Sequence, residues 1–400
     1  MATNLSVNKT TRYFAASVSD KMPYLKANRS YIPKGDLVGK KAGLTYRFYI
    51  PDVGYAEAGS SDASIEGMPA ETQEREISVT LRLGKARVDL GAFERLTGID
   101  DFVKEIAAPR GRKLAAKMEK DVINRNWLIS DGAVVVGKTT GVSDLNMSLF
   151  GTLGANLRAV KADGKMVGFA HPNIFSTLSQ KNLYAFLPEG IQKKVFADAW
   201  VGRFNTVEWI EDTYMPIVTA GASTPTITAA NLDTGVITGT NLYDGCAFQV
   251  AGYYCVDLNC ETLVEPKTFF LTGTNAGGTS ANLSYPVICA TNGATVNTNC
   301  NCSGDAVALA TAMTTPTFLL TNGKRYYVVQ ARDNDALELD MYPLPETPGC
   351  ETSKQKVGDI TVESRVWTDV KTLVAIRRYD IPYIADIIDS RLARVGFVEV

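Results

Sequence analysis

The string Gly132-Ala133-Val134-Val135-Val136-Gly137-Lys138-Thr139 satisfies the pattern G-x-x-x-x-G-K-[ST]. In that pattern the amides of a glycine-rich loop wrap a phosphate and the lysine reaches its outer oxygens. The chemistry needs a strand before the first glycine, a loop free to take positive φ, and a helix starting at the lysine. These residues supply none of the three. A helical pattern precedes Gly132, valines fill the would-be loop, and Gly141-Val142 delays the next helix to about Ser143. The string reads as strand or loop, and a P-loop nucleotide-binding enzyme is the alternative reading. A carboxylate for magnesium would have to follow an apolar strand. The nearest, Asp257 after Tyr253-Tyr254-Cys255-Val256, lies in a separate segment.

His171 is the single histidine, so nucleophilic catalysis has one possible imidazole base, and it stands before Pro172 where a helix starts. Zinc would need cysteines, and Cys300-Asn301-Cys302 leaves one residue between ligands instead of two to four. The seven cysteines, Cys246, Cys255, Cys260, Cys289, Cys300, Cys302 and Cys350, read as free thiols buried as small apolar groups, with a disulfide or metal staple as the minor reading. Between Pro51 and Glu74, Asp52, Glu57, Asp62, Glu66, Glu71 and Glu74 occur without any Lys or Arg. Six carboxylates on a long connection, with no aromatic platform, fit a charge-matched contact better than paired acids for hydrolysis. No catalytic residue, cofactor or metal is assigned.

The elements that must position such groups follow from periodicity. Leu44–Ile50 and Ile77–Leu83 alternate apolar and polar residues like two arms of one hairpin. From Ile106 to Ser130 a long helix is expected, with Pro109 in its first turn and Leu114, Met118, Val122, Ile123 and Trp127 along one stripe. Arg112, Lys113, Lys117, Glu119 and Lys120 form its charged face, which reads as solvated or as meeting acidic groups of a neighbour. A second helix runs from Ser143 as N-cap through Leu149, Leu153, Leu157 and Val160 to Gly164. Met166–Ala170 reads as a buried strand and His171-Pro172 as the entry to another helix. Strands resume at Arg325–Val329, Asp359–Trp367, Thr372–Ile376 and Gly396–Val400.

From Ala220 to Thr315 the composition shifts. One basic residue, Lys267, faces Asp233, Asp244, Asp257, Glu261, Glu265 and Asp305, a net of −5 that leaves 40 basic and 37 acidic residues elsewhere. Thr, Asn, Gly and Ser separate short apolar runs, the pattern of an inserted compact all-β domain. At 400 residues the chain exceeds a single core. The expected division is 1–219, 220–315 inserted, and 316–400, within an α+β fold. A net charge of −2 argues against a broad nucleic-acid-wrapping surface, so any DNA contact is expected to be weak and local. The start lacks a signal-peptide core and no apolar run spans a bilayer, which predicts a protein of the cytoplasm with no membrane partner.

In this order the elements resemble the tailed-phage major capsid fold, the Hong Kong type. The inserted β segment resembles that of coat proteins of the short-tailed Salmonella phage type. The likeness rests on Ile99-Asp100-Asp101-Phe102 leading into the long helix, Met166 to Pro172, Gly202-Arg203-Phe204-Asn205 to Pro216-Ile217-Val218, and Asp244 to Tyr254. It implies an N-arm over 1–39, an extended loop over 40–90 lying on an adjacent subunit, a spine helix over 106–130 and a ring-facing domain over 144–219. It further implies pentamers and hexamers of an icosahedral shell, scaffolding and portal proteins as partners, enclosed double-stranded DNA, and a virion location after assembly in a bacterial cytoplasm. Inter-subunit contacts are then expected at Tyr46, Arg47, Asp52, Glu57, Glu66, Glu74, Arg75, Arg82, Arg112, Lys113 and Lys117. A phage surface-adhesion module, resting on the Thr/Asn-rich segment, is a further alternative.

Overall fold

A computed structural model describes residues 7–19, 21–28, 45–51, 74–90, 106–139, 142–161, 164–180, 200–204, 206–232, 234–258, 262–284, 288–291, 294–297, 303–341, 350–358, 360–369 and 374–400. The fold is mixed α+β, with sheet dominant. Two compact units emerge, the first from Met1–Tyr46, Val79–Ile123 and Glu338–Asp386, the second from Arg47–Ser78, Asn124–Leu337 and Ile387–Val400.

The first unit is a five-stranded sheet covered by helices. Strands β20 (Leu337–Met341), β23 (Val374–Ile387), β22 (Ile360–Asp369) and β21 (Glu351–Val357) pair in that order, and β3 (Arg82–Leu90) runs antiparallel to β23. Helix α1 (Val7–Ser19) packs on β21 and β22, stacking Phe14 on Tyr379 with ring centres 3.9 Å apart. The short helix α2 (Pro23–Lys26) follows. Helix α3 (Ala108–Asn126) buries Leu114, Met118, Val122 and Ile123 as their spacing predicts. Two glycines let backbones approach: a Cβ on Gly84 would lie 2.8 Å from Met118 Sδ, and one on Gly111 would meet the Ser17 hydroxyl.

Sequence and structure differ here in three places. Glu119, expected on the charged face, is fully buried and accepts a hydrogen bond from the Tyr24 amide at 2.7 Å. Helix α3 ends at Asn126, not Ser130, because the Asn126 carbonyl accepts from Gln330 and its side chain from the Ile387 amide. The expected strand Ile77–Leu83 is two strands, β2 (Glu74–Thr80) and β3, separated at Leu81. Its hairpin partner is present: β1 (Thr45–Pro51) pairs with β2.

Among its described residues the second unit holds two large sheets. In the first, β4 (Gly132–Val136), β24 (Ala393–Glu399), β19 (Arg325–Asp333), β7 (Met166–Ala170), β9 (Val207–Glu211) and β8 (Trp200–Phe204) lie side by side, and β10 (Ile217–Thr219) adds to β19. Helices α4 (Met147–Ala159) and α5 (Pro172–Gln180) bury Leu149, Phe150, Leu153, Leu157, Ile174 and Phe175 with Trp209 and Val398 of the sheet. Gly168 leaves room for Trp209, whose ring would lie 2.3 Å from a Cβ there. Helix α4 starts later than expected. Its cap is Asn146, whose side chain accepts from the Ser148 amide, because Val142–Ser143 (β6) is held in a ladder with Lys138–Thr139 (β5).

The other sheet orders β11 (Thr226–Asn231), β12 (Val236–Thr240), β15 (Ser280–Leu283), β14 (Thr262–Thr272), β13 (Ala247–Val256), β16 (Ile288–Thr291) and β17 (Ala294–Asn297), with β18 (Thr317–Phe318) on β13. Among the described residues its core, including Ile237, Phe248, Phe269 and Leu271, is drawn from the segment between Ile227 and Phe318. The all-β expectation for this segment is corrected by helix α6 (Ser303–Ala312), beside which Leu309 and Met313 enter the same core. The segment Ser303-Gly304-Asp305-Ala306-Val307-Ala308-Leu309-Ala310-Thr311-Ala312 combines a serine start with alanine-rich, strong helix formers.

Candidate functional site

Of the residues expected to contact other subunits, Tyr46 and Arg47 lie on β1, and Glu74 and Arg75 on its partner β2. Asp52, Glu57 and Glu66 lie outside the described residues. Arg82 pairs with Asp121 of α3 at 3.3 Å, both partly exposed. Arg112, Lys113 and Lys117 are exposed on α3 and make no ion pair with any described residue.

The nucleotide-binding string has the wrong geometry. Gly132–Val136 is strand β4, hydrogen-bonded in parallel to β24 with Gly132 opposite Arg394 and Val136 opposite Val398. The strand is committed to the ladder with β24 on one side, its Ala133 amide donates to the Thr268 hydroxyl at 3.1 Å, and no helix begins at Lys138, which lies in β5. A Cβ on Gly132 would collide with the Glu265 carboxylate, so this glycine serves packing and not a phosphate turn.

A cavity of about 460 Å³ is lined by Lys138, Leu145, Asn173, Ile174, Tyr327 and Val400, among others. Its polar groups are mutually engaged: Lys138 Nζ donates to the Val400 carbonyl at 3.3 Å, and Asn173 Nδ2 to the Tyr327 hydroxyl at 2.7 Å. His171 stacks on Tyr327 with ring centres 4.9 Å apart, and its Nδ1 accepts from the Asn173 amide. Burial holds its pKa below the usual value. Among the described residues no nucleophile or carboxylate bonds this imidazole, and helix α5 begins at the next residue, Pro172, where the sequence placed a helix start.

Cys246, Cys255 and Cys289 are buried free thiols, Cys350 is a partly exposed one, and Cys260, Cys300 and Cys302 lie outside the described residues. Burial pushes the Cys246 thiol up to about 12 and the Cys255 thiol higher still, so neither is a nucleophile near neutral pH. Among the described residues no group of three or more His, Cys, Asp or Glu is placed to hold a metal, and no helix is long and apolar enough to cross a membrane.

Sequence reasoning missed a buried ionic junction. Lys267 of β14 pairs with Asp131 at the entry to β4, and Arg394 of β24 donates from Nε to Glu265 of β14 at 2.6 Å. Glu265 also accepts from Asn156 of α4 at 2.8 Å. The Asp131 carbonyl accepts from the Thr268 amide at 2.8 Å and from Cys255 Sγ at 3.5 Å. Burial opposes charge on Arg394, but Glu265, with Cys255 and Asp131 nearby, keeps its pKa above the ordinary value. A third pair, Lys161 with Asp257 at 2.7 Å, ties the end of β13 to the turn after α4. Beside these charges Trp127 sets its ring edge-on to Phe270 and Phe397, 5.8 and 6.0 Å away. One signal was available in sequence: Lys267 is the lone cation of the acidic segment.

No family model matches the chain, and no curated protein matches it. Among solved structures it is similar to the capsid of Ralstonia phage GP4 (8% identity, TM-score 0.45, 90% of this chain and 82% of that one). It is also similar to the acid-stable capsid of Helicobacter pylori bacteriophage KHP30 (6%, 0.44, 95% and 91%) and to a virus-like particle from Pyrococcus furiosus (11%, 0.41, 97% and 98%).

Proposed function

We propose that this chain is a shell-forming subunit, the major capsid protein of a tailed bacteriophage, that closes an icosahedral head around double-stranded DNA and has no catalytic role. One observation supports the reading: the hairpin, long helix and helix-strand-helix unit behind the resemblance are present in that order, with a helix, α1, inside the stretch expected as an N-arm. An N-terminal helix, the β1–β2 hairpin, the long helix α3, the α4–β7–α5 unit, a β-rich segment with its own core, and strands that return to both sheets follow one another. The short-tailed Salmonella phage subfamily, the role of 220–315 as an inserted domain, and partnership with scaffolding and portal proteins belong to the same proposal.

In this reading Tyr46, Arg47, Glu74 and Arg75 on the hairpin, Asp52, Glu57 and Glu66 between its strands in sequence, and Arg82 on β3 are contact groups between copies, and Arg112, Lys113 and Lys117 present charge. Individually weak contacts suffice, because symmetry repeats them around a closed shell. The test is negative-stain electron microscopy with sedimentation of the protein alone and with its candidate scaffolding partner. Closed shells, tubes or curved sheets are expected. A stable monomer under both conditions overturns the proposal.

A further inference from the structure

The near-neutral net charge conceals a segregation. The first compact unit contains 24 basic and 18 acidic residues, net +6, and the second 17 basic and 25 acidic, net −8. Burial widens the contrast. In the first unit Glu119, Glu338, Glu363, Asp380 and Asp386 are buried, whereas Arg12, Arg110, Arg112, Lys113, Lys117 and Lys120 are exposed. None of these six cations makes an ion pair with a described residue.

On α3 the spacing is regular. Arg110, Lys113, Lys117 and Lys120 follow at intervals of three, four and three residues, which places them in one exposed stripe beside the buried face of Leu114, Met118 and Val122, with Arg112 apart from it on the helix. At 1.5 Å per residue the stripe is about 15 Å long. Like charges at these spacings work against the helix. A partner of opposite charge gives them a use.

We propose that this stripe is a docking surface for the phosphate backbone of double-stranded DNA, read without regard to sequence. Two features favour phosphate over a protein partner. The stripe is mostly lysine, which interface cores avoid, and none of the large exposed apolar side chains among the described residues lies on α3, so the anchors of a protein interface are absent there. Flexible ammonium groups in a row suit sequence-independent phosphate contact. The choice of duplex DNA among polyanions rests on the shell reading; the stripe itself does not.

The test uses the unassembled full chain and a 30-base-pair duplex of random sequence, with binding followed by fluorescence anisotropy from 50 to 300 mM KCl. Four phosphate contacts predict a log–log salt slope of about −4. Lys113→Gln/Lys117→Gln/Lys120→Gln should reduce that slope by about 3 and weaken binding at 50 mM KCl at least tenfold, with its melting temperature unchanged or raised. The corresponding Lys→Arg triple should bind like the parent, and Lys21→Gln/Lys26→Gln should leave the slope unchanged. An unchanged slope in the glutamine triple overturns the inference. So does a triple that loses self-association while the parent ignores the duplex, which would assign the stripe to a second copy. Shells without duplex binding would sink the inference and leave the shell reading standing; duplex binding without shells would do the reverse.

Discussion

Lys267 and Asp131 form an ion pair in which both side chains are almost wholly shielded from solvent, at 4% and 0% exposure. They stand far apart in the chain, and the lysine is the single cation of an acidic stretch. Removing one partner leaves a buried charge uncompensated, which costs about 3 to 5 kcal/mol. Lys267→Met should lower stability by that amount in urea unfolding, and Lys267→Met/Asp131→Asn should recover at least half of the loss. A single-variant cost below about 1 kcal/mol would show that the pair does not hold β14 to the entry of β4.

Gly132 separates the strand reading from the nucleotide reading. Gly132→Ala forces the Glu265 carboxylate away from Arg394 and Asn156 and should destabilise by about 1 to 3 kcal/mol. Lys138→Ala, at an exposed position, should change stability by less than about 0.5 kcal/mol. Isothermal titration of the parent protein with ATP and magnesium should show no saturable heat. Micromolar binding abolished by Lys138→Ala would reinstate the enzyme reading.

Asp212 is 3% exposed, and its Oδ1 accepts from the Tyr214 amide at 2.8 Å while Oδ2 has no partner among the described residues. Burial raises its pKa from 3.8 to about 6, partly offset by the Tyr214 hydrogen bond. The folded state therefore holds this proton more tightly than the unfolded chain. Its contribution to stability is full below pH 3.8 and is lost as pH rises through about 6. Asp212→Asn keeps the acceptor and removes the charge, so it should stabilise the protein at pH 8 by up to about 3 kcal/mol and not at pH 4. Equal stability of variant and parent at both pH values would contradict this.

The proposed shell gives the acidic connection between β1 and β2 a role between copies. Excision of residues 52–73 with a short turn in their place should leave the melting temperature of the monomer within a few degrees of the parent and abolish shell formation. Normal shells from that variant would remove the connection from the contact set.

Much of the architecture was legible because periodicity reports burial locally. The stripe of Leu114, Met118 and Val122, the buried strand Met166–Ala170 and the proline-started helix α5 all lie where the pattern placed them. Errors arose where distant residues decide. The apolar spacing runs on to Trp127, but Asn126 is captured by Gln330 and Ile387, and the indole turns to Phe270 and Phe397. Ser143 has a cap's chemistry yet is claimed by the ladder with Lys138. Glu119 looks like a surface residue on a charged face, and only the position of the Tyr24 amide makes it an interior one. The contact candidates were harder still, since a surface that meets other molecules leaves no signature in the core of one chain.

The placement of β24 governs how the protein comes together in time. This strand lies between β4 and β19, with Arg394 opposite both Gly132 and Ala331. Its two ladders thus join β24 to stretches much earlier in the chain, a high-contact-order arrangement that forms slowly. Until it forms, β4 and β19 each present an unpaired edge that the same strand of another copy could occupy. Yield of native protein should therefore fall as protein concentration rises during refolding, and slow dilution from denaturant is the route to native material.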